Sequence, residues 1–330
     1  MGDQGRTQMK AICSAAALSL LLIAGAANAQ TSYPDKQVRI LVGFAAGGPA
    51  DIAARIVADR LSEAWGKPVV VENVTGAAGN VATDRVAKAP PDGYTLVMAA
   101  SSTIVTNVSL YDKLPFDPVK DLAPISQVCF TANILAVNND VPAKNVQELV
   151  ALARARPGEL TFGSAGVGTS QHLAGELFKA MAGISLQHVP YRGIAQVMPD
   201  LLGGRLTMSF GNISAVLPLT RENKVRAMAV TSIKRSASVP NLPTMAEQGF
   251  PGFDSTAWFG LMAPAGTPSP IVAKLHAETA KILARADVRE KFGTLGMEVI
   301  GNTPAEFADV IKAEIPVWAK IIKESGAKAE

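Results

Sequence analysis

The sequence predicts an α/β fold of two lobes, each a mainly parallel sheet flanked by helices. Short apolar strands alternate with stretches of helical spacing in two successive rounds, the pattern of βαβ units. Each round contains a glycine-rich turn running from a strand into a helix. The first is Gly43-Phe44-Ala45-Ala46-Gly47-Gly48-Pro49-Ala50-Asp51, and 120 residues on comes Gly163-Ser164-Ala165-Gly166-Val167-Gly168-Thr169-Ser170. Such a turn leaves backbone N–H groups unpaired at the positive end of a helix dipole, where an anion is favoured.

In the first round, Val38–Val42 reads as a buried strand and the helix after it starts at Gly48-Pro49. Proline suits the first helical position, and Asp51 in the first turn complements the dipole. Ile52, Ile56, Val57, Leu61 and Trp65 recur at helical spacing until Gly66 and Pro68 stop the helix. Val69–Val71 is a second strand. A Gly76-Ala77-Ala78-Gly79-Asn80 turn then enters a short helix that ends at Pro90-Pro91-Asp92-Gly93. Tyr94–Met98 is a third strand, followed by a polar turn, Ser101-Ser102-Thr103.

The second round follows Ile134–Val137. Asn145 and Glu148 form a capping-box-like helix start, and Pro157-Gly158 ends that helix. Leu160–Gly163 is a strand, the second glycine turn follows, and Gln171–Met181 is helical. Leu186–Val189, Leu206–Phe210 and Val225–Val230 read as further strands. From Pro268 the chain is mostly helical, with a brief strand near Met297–Ile300. In open parallel sheets, ligands sit beyond the carboxyl ends of the strands. Both glycine turns, Ser101-Ser102 and the segment after Phe210 fall at such ends.

Residues 1–29 read as a leader for export. Arg6 and Lys10 precede the apolar run Ala11–Ala26, and Ala27-Asn28-Ala29 is a small-x-small cleavage site. Polar Gln30-Thr31-Ser32 follows directly, and the run is short for a membrane anchor. Cleavage leaves 301 residues, room for two ordinary domains. It also removes Cys13, so Cys129 is left without an intramolecular partner and is expected to be simply buried. Loss of Arg6, Lys10 and Asp3 takes the formal charge from +3 to +2, with no basic block, so neither nucleic acid nor a membrane surface is an expected partner.

Neither turn is a dinucleotide or P-loop fingerprint. The first lacks G-x-G-x-x-G spacing, and no Gly-Lys-Ser/Thr follows either. Three histidines and one mature cysteine offer no zinc-type cluster, and no metal or cofactor is expected. Ser164 is not in a nucleophile elbow, because Phe162 stands at the first glycine position. Two roles fit His172: orienting a ligand, or packing in the first turn of its helix. His188 and His276 read as structural or solvated. Arg192, in Tyr191-Arg192-Gly193, either forks onto a carboxylate or is solvated; it is the only basic residue in these sheet-end segments apart from Arg55. Asn212 and Ser214 either bind a ligand or cap the next helix. Aromatic content of 5% argues against a sugar site of stacked rings.

Taken together, these segments resemble the extracytoplasmic solute receptors of the tripartite tricarboxylate transporter family, the Bug receptors. The matching stretches run along nearly the whole mature chain. They are Tyr33-Pro34, Gly43–Arg55, Pro91–Ser102, Gly168–Leu173, Val189–Gly193, Val225–Thr231 and Trp258–Pro264. The resemblance implies a type II periplasmic-binding-protein clamshell: a monomeric periplasmic receptor, not an enzyme, that closes on a small mono- or dicarboxylate and delivers it to membrane permease subunits. It implies contacts from Phe44, Ala46, Gly47, Gly48, Asp51, Ser101 and Ser102 in one lobe, and from Ser164, Gly168, Thr169, His172, Tyr191, Arg192 and Asn212 in the other. In that scheme the first turn holds a carboxylate through backbone amides and bridging waters, and a Cβ at Gly47 or Gly48 blocks the ligand or demands a disallowed φ.

Two positions depart from the family. Gly43 stands where proline is common, which is expected to matter little. Gly211 replaces a common aspartate, which argues against an amino-acid ligand. The receptor reading also predicts two crossovers, at Gln127–Val137 and Thr256–Pro264. The first lobe is then residues 31–130 with 255–330, and the second 131–254. Two other classes remain open: a receptor presenting its ligand to a membrane sensor, and an exported enzyme on a related fold.

Overall fold

A computed structural model describes residues 33–325. The leader, its cleavage site and Cys13 lie outside the described residues. The first round forms β1 (Val38–Val42), α1 (Pro49–Trp65), β2 (Val69–Asn73), a 3₁₀ turn (Ala77–Gly79), α2 (Asn80–Ala87) and β3 (Thr95–Ala100). β1 lies between β2 and β3, parallel to both. This places the carboxyl end of β1 at a change of strand order, where such sheets bind ligands. The turn expected at Ser101-Ser102-Thr103 is instead a π-helical turn, Ser102–Thr106, running into α3 (Asn107–Leu110).

β4 (Leu122–Asn138) is the long element that joins two sheets. Its first part pairs antiparallel with β9 (Thr256–Pro264), from Leu122 opposite Pro264 to Ala132 opposite Thr256. Its second part, from Asn133, pairs with β7 (Met208–Asn212) and β8 (Val225–Val230). The second sheet also holds β5 (Thr161–Ser164) between β6 (Gln187–Pro190) and β7, all parallel. Helices α4 (Val146–Ala155), α5 (Ser170–Ala182), α6 (Ile194–Leu202) and α7 (Ile213–Arg221) connect these strands. After β9 the chain returns to the first sheet with α8 (Ser269–Ala284), α9 (Ala286–Thr294), β10 (Met297–Val299) and α10 (Pro304–Ser325). The result is an α/β architecture with helices packed on two sheets that β4 joins.

Each sheet is apolar on both faces, as parallel strands sandwiched by helices must be. Val38, Ile40 and Val42 pack with Ala53, Val57 and Leu61 of α1, while Leu41 and Val97 face Phe307 and Ile311 of α10 on the other side. In the second sheet Phe162 and Phe210 meet Phe178 of α5, and Ile134 and Ala136 meet Val197 and Val216. The local signals hold. Gly48 caps α1 with Pro49 at its start, Gly66 ends it in the left-handed region, and the Asn145 side chain accepts the Glu148 N–H at 2.9 Å. Cys129 is free and fully buried, which pushes its thiol pKa up.

Candidate functional site

A cleft opens where the carboxyl ends of both sheets meet. Its lining comes from four helix starts and the crossover strand. Phe44, Ala45, Gly48, Pro49 and Ala50 come from the first glycine turn and α1, and Thr169, Ser170 and Gln171 from the start of α5. Gly193 and Ile194 open α6, and Asn212 stands at the N-terminus of α7, its side chain bonded to Asn133 and Gln171 rather than capping the helix. Ala100 and Ser102 at the end of β3, Ala165, and Ala257 and Phe259 of β9 complete it. Among the described residues no charged side chain lines this space.

Among the described residues the N–H groups of Gly48 and Ala50 have no hydrogen-bond partner, nor do those of Ser170 and Gln171. Two long helices therefore aim orphan donors and positive dipole ends at one small volume. The cavity measures about 30 Å³, on the order of two water volumes and so matched to a carboxylate group.

The lobes touch at two seams beside the cleft. The Ala45 N–H donates to the Arg192 carbonyl at 3.3 Å, and Thr106 Oγ1 donates to the Gly168 carbonyl at 2.9 Å. Gly193 and Gly168 permit these approaches. A Cβ at Gly193 would lie 2.9 Å from Ala45 Cβ, and one at Gly168 would lie 2.6 Å from Asn107 Oδ1.

Of the residues named from the sequence, Phe44, Gly48, Ser102, Thr169 and Asn212 are brought together in the cleft lining. The others stand elsewhere. Ala46 and Gly47 face solvent. Gly47 has φ +82 and so needs its glycine, whereas Gly48, at φ −82, does not; a Cβ there meets Ile194 Cγ2 at an ordinary 3.8 Å. Asp51 is buried and fully engaged, accepting from the Gly47 N–H at 3.0 Å, Arg55 Nε and Asn73 Nδ2. Burial alone would raise its pKa, but these donors outweigh it and hold the carboxyl low. Asp51 therefore shapes the turn and neutralises Arg55. Ser101 is buried just before the π-helical turn, outside the cleft lining.

In the second lobe, His172 Nδ1 accepts the Gly168 N–H at 3.1 Å, and its ring packs against that of His188 at a tilt of 33°, centroids 4.2 Å apart. Burial lowers the pKa of His172 to about 4 and, with the neighbouring His172 ring, that of His188 to about 3. Both rings are neutral packing groups at physiological pH. Ser164 Oγ lies 2.6 Å from His188 Nε2, a serine–histidine contact the sequence did not reveal. Ser164 is fully buried, also bonds Gly166 and is not part of the cleft lining. The Tyr191 hydroxyl donates to Asp200.

Tyr191 and Arg192 line a neighbouring cavity of about 190 Å³ that shares Phe44 and Ala165 with the cleft. Among the described residues the exposed Arg192 guanidinium has no hydrogen-bond or ion-pair partner. One wall is Gly76-Ala77-Ala78, with φ of 144°, 44° and 49°. Left-handed alanines are uncommon, and such strain clusters at ligand clamps.

Both family departures look different in the structure. A Cβ at Gly43 would lie 2.4 Å from Gly79 Cα, so two turns touch there and a larger residue forces one to move. A Cβ at Gly211 would point at Val216, Met198 and Ile194, an apolar layer where a carboxylate would have no polar partner. Sequence reasoning missed Gln171, two residues past the Thr169 cap, and the small residues Ala165, Gly193 and Ala257. Only Gln171 carried a local signal, its place in the first turn of α5.

Comparison with known proteins shows the family. Residues 53–327 match the family model for the tripartite tricarboxylate transporter family receptor. Protein BugT of Bordetella pertussis is 37% identical over 307 residues, covering 93% of this chain and 94% of its own. The Rpa4515 protein of R. palustris, solved with adipate, superposes with a TM-score of 0.87 at 37% identity, over 90% of this chain and 99% of that one. MatC (Rpa3494) from Rhodopseudomonas palustris, solved with malate, gives 0.84 at 33% identity over 88% of this chain and 100% of that one. A neutral cleft ringed by helix N-termini, on this fold and at this level of identity, belongs to a solute-binding protein: the chain is a member of the tripartite tricarboxylate transporter receptor family, of the Bug type.

Proposed function

We propose that the protein is a monomeric periplasmic receptor that captures a small dicarboxylate between its lobes and delivers it to the membrane permease of its transporter. The first carboxylate sits at the starts of α1 and α5, held by the backbone N–H groups of Gly48, Ala50, Ser170 and Gln171, with Ser102 and Thr169 beside it. The observation that carries this reading is a cleft with no charged side chain whose walls converge helix N-termini. Fixed dipoles favour an anion there without a counter-ion. The second carboxylate enters the neighbouring cavity, where the unpaired Arg192 guanidinium supplies the formal cation. Relatives solved with adipate and malate, both dicarboxylates, support this class.

The lobes are residues 31–130 with 255–330, and 131–254, hinged where β4 leaves β9. The leader, residues 1–29, directs export. Thermal unfolding with adipate, malate and succinate tests the reading. A ligand at 100 times its Kd adds about 2.7 kcal/mol of stability, a clear rise in Tm, whereas the corresponding diamides should give none. Equal shifts from acids and diamides, or no shift from any acid, would refute it.

A further inference from the structure

A row of amides runs from the hinge to the cleft, and its polarity is fixed at one end. The Ser255 carbonyl can only accept, and it receives Asn133 Nδ2 at 3.0 Å. Asn133 must therefore turn its Oδ1 the other way, where it accepts Asn212 Nδ2 at 2.8 Å. Asn212 Oδ1 in turn accepts Gln171 Nε2. Each amide has one acceptor and one donor end, so the direction set at Ser255 propagates without choice. The last group, Gln171 Oε1, is buried and has no hydrogen-bond partner among the described residues, on a residue only 4% exposed that lines the cleft.

An unpaired buried acceptor is costly, and here it belongs to a residue that lines the volume a ligand would enter. We propose that Gln171 reads a hydrogen-bond donor on the ligand, and that the donor is a hydroxyl, making the preferred substrate class hydroxycarboxylates. An ammonium is the other common donor. It is disfavoured because the cleft lining holds no anionic side chain to balance it, and the positive ends of α1 and α5 repel it. The inference rests on the proposed receptor function and adds the identity of one ligand group.

A site built to hydrogen-bond a hydroxyl discriminates against the analogue lacking it, because the protein acceptor is then left unpaired. Calorimetry with malate, succinate and aspartate, identical in carbon skeleton, tests this. The expected order is malate tightest, succinate about tenfold weaker, and aspartate weakest. Gln171→Met keeps the side-chain length and removes the acceptor, so the ratio of malate to succinate affinity should fall to about one.

Equal malate and succinate affinities in the unmodified protein would mean that a water satisfies Gln171, and would overturn the inference. So would tight aspartate binding, or a malate preference that survives in Gln171→Met. Asn212→Leu is a second variant, which breaks the row one step back. It should also flatten the ratio, and an unchanged ratio counts against the fixed polarity. If none of the three acids binds, the receptor reading fails; if they bind without discrimination, only this inference does.

Discussion

Gly168→Ala separates folding from closure. Gly168 sits in the second glycine turn with φ +83, and its absent Cβ would lie 2.6 Å from Asn107 Oδ1 and 2.9 Å from Leu110 Cδ1 across the seam. Two costs follow. The left-handed backbone costs an alanine about 1–2 kcal/mol whether the lobes are open or closed. Crowding against Asn107 and Leu110, at about 1–3 kcal/mol for an overpacked contact, arises only when the lobes close. If closure accompanies binding as proposed, the second cost should weaken affinity by about 5- to 150-fold, while the first lowers only stability. Gly183→Ala is the control, because it carries the same strain (φ +62) with nothing within 4 Å of the new Cβ. Titration calorimetry with adipate and chemical denaturation on both variants give the four numbers required. Both variants should lose similar stability, and only Gly168→Ala should lose affinity. Matched affinities would refute the assignment of Gly168 to the closing seam.

Three further outcomes are expected. Gly48→Val places two methyls beside Ile194 in a cavity of about 30 Å³; it should abolish adipate binding by calorimetry while circular dichroism shows a folded protein, whereas Gly47→Ala should mainly lower Tm through its positive φ. Small-angle scattering should show a smaller radius of gyration with saturating adipate than without, as hinge closure about β4 and β9 requires; an unchanged radius counts against a hinge. For pH, His172 and His188 have folded pKa values lowered to about 4 and 3 against an ordinary 6.5. Below pH 6.5 the unfolded chain therefore binds protons that the native state refuses. Stability present above pH 6.5 should fall by about 2 kcal/mol per histidine by pH 5, a loss visible in denaturation midpoints and halved in His188→Gln.

The sequence by itself determined the local structure and pointed to the strand ends that line the cleft. Pro49 and Asp51 after Gly48, Gly66 at the far end of α1 and Asn145 with Glu148 are short-range signals, because caps and left-handed turns depend on neighbours a few residues apart. The apolar runs located the strands, and the glycine turns located their ligand-facing ends. Tertiary structure decided which groups at those ends are free. Asp51 is consumed by Arg55 and by Asn73, 22 residues from it, and His172, in α5, by Gly168 and by His188 on β6. Gly43 is fixed by contact with Gly79, and Arg192 lies beside the cleft rather than in it. Gln171 matters because Ser255, 84 residues on, sets the direction of a row of amides that reaches it through Asn133 and Asn212. Hydrogen-bond saturation and close packing are properties of the assembled lobes, and no spacing along the chain encodes them.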